Sequence, residues 1–192
     1  MDTGPHITVI ALGHTKGVGK NTIGRILLEQ FEAKGFAVEC SSFAGPVKET
    51  AHWLYDSAGV RDEDYYELHP EEKDIVLPKL GLTPREVWIK ISDDLAALYP
   101  RVWFDRACNS IDYHTEVVIF TDLRYKREWD LLKQLNVNVV FVKVTRDGTK
   151  LVEDGAEEQL INADWDLTIH NDFNKNNPPA LADMIEDYIA AL

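Results

Sequence analysis

The sequence predicts an α/β fold in three layers: a parallel sheet of about five strands between helices, with a helical insertion. Three observations predict it. Short, almost continuous apolar runs recur along the chain, as expected of strands buried on both faces. Stretches with helical spacing separate them, and strand–helix alternation calls for parallel pairing through right-handed crossovers. The first run leads directly into "ALGHTKGVGKNT", residues 11–22, a loop rich in glycine and lysine that opens a helix.

Ile7–Leu12, "ITVIAL", is the first buried strand. Asn21–Ala33 follows as a helix, with Ile23, Ile26, Leu27 and Phe31 on one face and Gly35 as the stop. Phe36–Phe43 reads as a second strand, and Pro46 suits the first turn of a helix that continues from Val47 to Ala58. The middle of the chain, to about Ile111, shows two or three helices punctuated by Pro70, Pro78, Pro84 and Pro100, and no strand. Its acidic run Asp62–Glu67, with Tyr65 and Tyr66, reads as solvated surface in which an aromatic could still touch a base. Strand character returns at Glu116–Thr121, followed by a helix over Lys126–Leu135 and a strand, "NVVFVKV", from Asn138. Lys143–Glu158 is polar and loop-like, Asp166–His170 is a short strand, and Leu181–Leu192 closes the chain as an amphipathic helix. The expected organisation is one domain, with its core in 1–58 and 112–192 and an insertion over about 59–111.

Composition excludes some classes of function. No apolar run approaches the roughly 20 residues that span a bilayer, and "MDTGPHI" is neither basic nor apolar enough for a signal peptide. No membrane partner is expected, and a cytoplasmic address is. Cys40 and Cys108 lack metal-type spacing, so neither zinc nor a disulfide framework is expected, and Cys40 in "FAVEC" reads as a buried free thiol. The net charge of −13 repels polyanions and argues against nucleic acid. A small anionic ligand remains open to such a protein wherever cations cluster locally. A homodimer is left open.

In such sheets ligands bind beyond the carboxyl ends of the strands. That puts the opening loop and the segments after Phe120 and Val144 on one rim. The phosphate-binding loop pattern is G-x-x-x-x-G-K-[ST] after a strand and before a helix. Gly19 and Lys20 fit it, which makes the fold of the P-loop nucleotide-hydrolase type. Backbone N–H groups there wrap a phosphate, the helix N-terminus adds positive charge, and lysine neutralises the rest. Two positions depart: His14 stands where the first glycine belongs, and Asn21 where a serine or threonine offers its hydroxyl to Mg²⁺, with Thr22 following. Asn21 could serve through its amide oxygen, or it could cap the helix. His14 could lean over a phosphate or merely tolerate the turn. In "VVIFTDLRYKREWDLL", Asp122 lies just past a strand end, which suits the acidic partner of a phosphate-bound Mg²⁺. Arg124, Lys126 and Arg127 crowd the same turn, and Glu128 either orients an arginine or favours the helix dipole.

The segments "GVGKNT", "FAGPVKE", "LTPREVWIKISDD", "YPRVWFDR", "FTDLRYKREWDLLKQLNVNVVFVKVTRD" and "DWDLTIHND" stand in the order found in the deoxynucleoside monophosphate kinases of phages and bacteria. The chain resembles that family along nearly its whole length, and the phosphomevalonate kinases of animals resemble the same group. The resemblance implies transfer of the γ-phosphoryl of ATP, with Mg²⁺, to a deoxynucleoside 5′-monophosphate. It also implies the site. His14, Thr15, Lys16, Gly17, Gly19, Lys20, Asn21 and Thr22 would hold ATP, with Arg146 near the adenine. Lys20, Lys16, Asp122 and Arg124 would be catalytic, and Asn21 and Asp122 would face the metal. Phe43, Lys48, Arg85, Asp94, Trp103 and Arg106, with Arg124 and Arg127, would line the acceptor pocket. Asn21 replaces the family's usual aspartate, Asp94 stands where a glutamate is usual, and Ala97 where an arginine often occurs. The resemblance also implies a lid over about 146–160, in which "GAEE", Gly155–Glu158, replaces a His-Ala-Ser-Glu segment. Other acceptors remain open, namely phosphomevalonate or a hydroxymethylated base in DNA, as does a non-catalytic nucleotide-binding module.

Overall fold

A computed structural model describes residues 7–149, 157–172 and 178–191. In chain order its elements are β1 (Thr8–Gly13), α1 (Lys20–Ala33), β2 (Val38–Ser41), α2 (Gly45–Tyr55), α3 (Glu63–Leu68), α4 (Pro84–Leu98), α5 (Val102–Asn109), β3 (Val117–Leu123), α6 (Lys126–Leu132), β4 (Asn138–Thr145), β5 (Leu167–His170) and α7 (Leu181–Ala190). The chain divides into two compact units, one of Met1–Ser42 with Ile111–Leu192 and one of Phe43–Ser110.

The first unit is the predicted α/β fold. Its five strands run in the order β2-β3-β1-β4-β5, and every pairing is parallel. Alternate residues of the central strands feed two layers. Ile10 and Leu12 of β1, Ile119 of β3 and Val140, Val142 and Val144 of β4 share one cluster with Ile23 and Leu27 of α1 and Leu181 and Ile185 of α7. On the opposite face Phe141 of β4 stacks on Trp129 of α6, with ring centroids 3.8 Å apart. The central strands are buried on both faces because a helix lies on each, which is why they read as unbroken apolar runs. Gly35, at φ 92°, lets the chain turn out of α1 as expected. Gly24 lets α1 sit close on β3, since a Cβ there would come within 2.6 Å of Thr121 Cγ2.

Some boundaries move. β2 is only four residues long, because Phe36 turns instead to an edge contact with Phe31. β3 runs two residues further than expected. The register slips between Ala11↔Phe120 and Gly13↔Leu123, so β3 carries an extra residue opposite β1. Asp122 therefore lies in this bulge, inside the strand and not beyond its end. Bulges re-aim side chains where they interrupt a ladder. Cys40 is exposed and not buried, because β2 is an edge strand. Its sulfur still lodges 3.6 Å from the Gly24 carbonyl, and loss of hydration, with Glu32 and Glu39 nearby, pushes the thiol up to about 11.

The second unit is helical. Val47, Ala51, Val60, Val87, Ile91, Ala96 and Trp103 make its core. Asp62 caps α3 by accepting from Tyr65 N at 2.8 Å, and Thr83 with Glu86 forms a reciprocal capping box on α4. Tyr66 corrects the sequence expectation of solvated surface: it is 2% exposed and packs edge-on against Trp88. α3 is amphipathic, and its neighbouring carboxylates face out while this one ring faces in. No helix among the described residues is long and apolar enough to cross a membrane.

Candidate active site

The strand order of the first unit defines where a ligand belongs. From β1 the chain passes over α1 to β2 on one side, and from β3 it passes over α6 to β4 on the other. The two crossovers leave on opposite faces, so the carboxyl ends of β1 and β3 part and leave a crevice, the topological switch point of such sheets. The loop 14–19 rises from β1 on one side of it, and the segment Asp122–Arg124 ends β3 on the other.

Left-handed backbone shapes the loop. His14, Gly17 and Gly19 have φ of 94°, 84° and 89°. His14 thus adopts the glycine-like conformation of the position it replaces, at a strain cost of about 1–2 kcal/mol. Its Nδ1 and Thr15 Oγ1 share a hydrogen bond of 2.9 Å. Lys20 is the first residue of α1 and is only 7% exposed. Its Nζ donates to the carbonyls of His14 and Thr15, both at 2.8 Å, so the ammonium sits inside the turn of the loop. The first turn of α1 carries no acidic residue and no side-chain cap. Its N–H groups and dipole keep a positive end toward the crevice. Gly19, not Asn21, occupies the cap position, which removes the capping alternative for Asn21. Asn21 is exposed in the first turn with Thr22 half-buried beside it, and Lys16 and Gly17 are exposed on the loop.

Asn171, which sequence reasoning missed, braces this loop from behind. It follows β5 and is 6% exposed. Its Nδ2 donates to Val18 O at 2.7 Å and its own N–H to Thr145 O at 2.7 Å. A Cβ on Gly19 would meet Asn171 Nδ2 at 2.2 Å. Trp165 packs behind the strand in the same way, 2.3 Å from where a Gly13 Cβ would stand. The only sequence signal for Asn171 was its place after a strand end.

Across the crevice, Asp122 and Arg124 are half-buried, and Arg127 lies over the Tyr125 ring at 5.1 Å. Lys126 pairs with Asp130 on its own helix. Glu128 is buried, and its Oε2 accepts from Arg124 N at 3.0 Å and Tyr125 N at 3.1 Å. Burial first, and the negative charge of Asp122 second, push its carboxyl up to about 7, against the opposing pull of those two N–H groups and Arg127. Arg146 follows β4 at the same rim and is exposed. Residues 150–156 of the expected lid, Gly155 and Ala156 among them, lie outside the described residues, as do the side chains of Glu157 and Glu158.

Apart from Arg124 and Arg127, the expected acceptor residues lie in the helical unit, where ion pairs hold most of them. Lys48 Nζ is 2.5 Å from Glu63 and 3.9 Å from Glu67, and 5.8 Å from the Trp88 ring centre. Arg85 reaches Asp74 through Nε at 2.8 Å, Arg106 reaches Glu49 at 3.6 Å, and Asp94 pairs with Lys90 at 3.2 Å. Trp103 is buried and donates its indole N–H to Ser92 O at 3.0 Å, and Phe43 stacks on Phe104 at 5.8 Å. Among the described residues, the Trp88 indole N–H is a buried donor with no hydrogen-bond partner.

No family model matches the chain, and no curated protein does. Solved structures do. A point mutant of the APS kinase of Mycobacterium tuberculosis is 12% identical, covering 97% of this chain and 99% of that one, with a TM-score of 0.45. An unliganded sugar kinase from Janibacter sp. is 14% identical over 97% of this chain and 95% of that one, with a TM-score of 0.39.

Proposed function

We propose that the protein is an ATP-dependent phosphotransferase that moves the γ-phosphoryl of ATP to the 5′-phosphate of a deoxynucleoside monophosphate. The observation that carries the reading is the loop itself: a left-handed turn closed on the Lys20 ammonium, opening an uncapped helix at the switch-point crevice, with Asp122 and Arg124 on the opposite lip. The acceptor class comes from the ordered segments of the sequence.

The acceptor oxygen is already anionic, so no general base is needed, and catalysis reduces to placement and charge stabilisation. Lys20 moves from the loop carbonyls onto the phosphates, and the first-turn N–H groups of α1 hold the same anion. Lys16, Arg124 and Arg127 offset the repulsion between the two polyanions, while Arg146 serves the adenine side. Lys48, Arg85 and Arg106 recognise the acceptor's phosphate, with Phe43, Trp103 and Asp94 shaping the acceptor contacts. The donors at the rim suit Mg²⁺, a hard ion that takes oxygen ligands: the Asp122 carboxylate, the Asn21 amide and the Thr22 hydroxyl would hold it, directly or through water. When bound, such an ion neutralises charge on the phosphates.

The test is ADP release with a panel of acceptors. Release that depends on a deoxynucleoside monophosphate is expected, and Lys20→Ala should lower turnover about 100-fold or more, the scale of losing a main electrostatic contact. Near-normal turnover in that variant would count heavily against the mechanism. Release that depends instead on phosphomevalonate or on hydroxymethylated DNA would reassign the acceptor. ATP binding without transfer to any of them would leave a nucleotide-binding module.

A further inference from the structure

We infer that Glu128 is a positioning residue whose buried carboxylate sets the turn that carries Arg124 out of β3, just past Asp122; the inference rests on the phosphotransferase reading for what that turn does. β3 pairs once more with β1 after its bulge, at Gly13↔Leu123, and ends there, so the ladder does not dictate where Arg124 and Tyr125 lie. Something else must fix them. Glu128 is the third residue of α6, and one of its oxygens takes the N–H groups of Arg124 and Tyr125 at 3.0 and 3.1 Å. A single atom thus ties the end of the strand to the start of the helix. The anchor is itself held. Glu128 is 8% exposed, and the next residue, Trp129, is clamped between the Phe141 ring, stacked at 3.8 Å, and the Trp165 ring, edge-on at 4.9 Å.

A cap needed only to start a short helix would do as well from the surface, without the cost of a carboxylate taken out of water. Here the carboxylate is buried where Asp122 repels it, and it points back at the two residues that lead out of β3. What it gains there is placement. Without it, the Arg124 backbone loses its tether, and the guanidinium samples positions from which it cannot meet a developing phosphoryl charge. A misplacement of about 1 Å is enough to cost about 100-fold in rate.

Chain length and charge make separable demands, so the test is a ranking of three full-length variants. Gln keeps an acceptor oxygen at the right reach. Asp keeps the charge but falls one methylene short. Ala keeps neither. Amide hydrogen exchange at Arg124 and Tyr125 should stay close to wild type in Glu128→Gln and rise about tenfold or more in Glu128→Asp and Glu128→Ala, with the amides of Ile10 and Val140 unchanged. Turnover should follow the same order, falling about 100-fold in Asp and Ala while KM for ATP stays near wild type. If Ala does not fold, the comparison of Gln with Asp decides alone. Asp outperforming Gln would show that charge and not reach matters, and would overturn the inference. Faster exchange with undiminished turnover would overturn it too. Wild-type protein that transfers phosphoryl to no acceptor would sink the phosphotransferase reading instead, and the exchange ranking would still decide whether Glu128 holds the turn.

Discussion

Gly17 and Gly19 stand two residues apart in one loop, yet replacing each by alanine should have different costs. Both have positive φ, 84° and 89°, so each alanine meets left-handed strain of about 1–2 kcal/mol. The surroundings differ. A Cβ at Gly17 would meet nothing within 4 Å, whereas one at Gly19 would come within 2.2 Å of Asn171 Nδ2 and 3.5 Å of its Cγ. The Asn171 amide must then leave its 2.7 Å bond to Val18 O, and both groups are buried. Breaking a buried hydrogen bond and orphaning its partners adds about 1–3 kcal/mol. Gly19→Ala should therefore cost roughly 2–5 kcal/mol against about 1–2 for Gly17→Ala. In urea, where small proteins show slopes of about 1–3 kcal/mol per molar, that difference places the Gly19→Ala midpoint roughly 1 M below that of Gly17→Ala. The cause can be isolated. In an Asn171→Ala background the excess cost of Gly19→Ala should vanish, since the atom it strikes is gone. Equal midpoints for the two alanine variants would refute the steric argument, and so would an excess that persists without the Asn171 amide.

Three further outcomes follow from local geometry. Gly24→Ala gains helix propensity of about 1 kcal/mol but forces α1 off Thr121 Cγ2, 2.6 Å away, so a net loss of about 1–2 kcal/mol is expected by urea unfolding, recovered in part by adding Thr121→Ser. His14→Gly relieves the 94° φ and should raise stability by up to about 1 kcal/mol, less the greater freedom of glycine in the unfolded chain; a loss greater than that would show that the imidazole contacts outweigh the strain. Stability should also carry a pH signature of Glu128, whose carboxyl lies at about 7 in the fold against an ordinary 4.5. Below 4.5 it is neutral in both states and costs nothing. Between 4.5 and 7 only the unfolded chain ionises freely, so folding weakens as pH rises, and above 7 the full penalty of roughly 3 kcal/mol applies. Wild type should thus lose stability relative to Glu128→Gln from pH 5 to 7 and run parallel to it at pH 8 and above; parallel curves throughout would contradict the burial argument.

Much of the first unit was legible because its signals are local. β1, β3 and β4 announce themselves as apolar runs, since both faces of each are covered, and Gly-Lys after a strand marks the loop. What failed depended mostly on partners distant in sequence. Phe43 looked like a strand end because it is aromatic, but it is apolar for the sake of Phe104. The bulge that draws Asp122 into β3 exists only in the register with β1, which no single segment encodes. Tyr66 sits among carboxylates in the sequence and among aromatics in space. Asn171 lies 153 residues from the carbonyl it holds, so nothing near it in the chain hints at the loop.

The acidity of the chain and its proposed polyanionic substrates are reconciled by range. At physiological ionic strength exposed charges are screened beyond about 8 Å, so most of the −13 is not felt in the crevice, and nearby donors decide. The cations assigned to the proposed substrates fall into two kinds. Arg85 and Arg106 are held at the surface by Asp74 and Glu49, with side chains 40% and 63% exposed. Such pairs contribute about 0–1 kcal/mol each, so an arriving phosphate can take the cation over from its carboxylate at little cost. Lys20 differs because it is buried and its ammonium holds two loop carbonyls in place. In the proposed mechanism it turns to a phosphate and those carbonyls need other partners, which would couple phosphate binding to the shape of the loop. The surface pairs keep cations in readiness without shaping anything. The lysine both shapes the cradle and answers what enters it, which is why its removal should cost far more than that of either arginine.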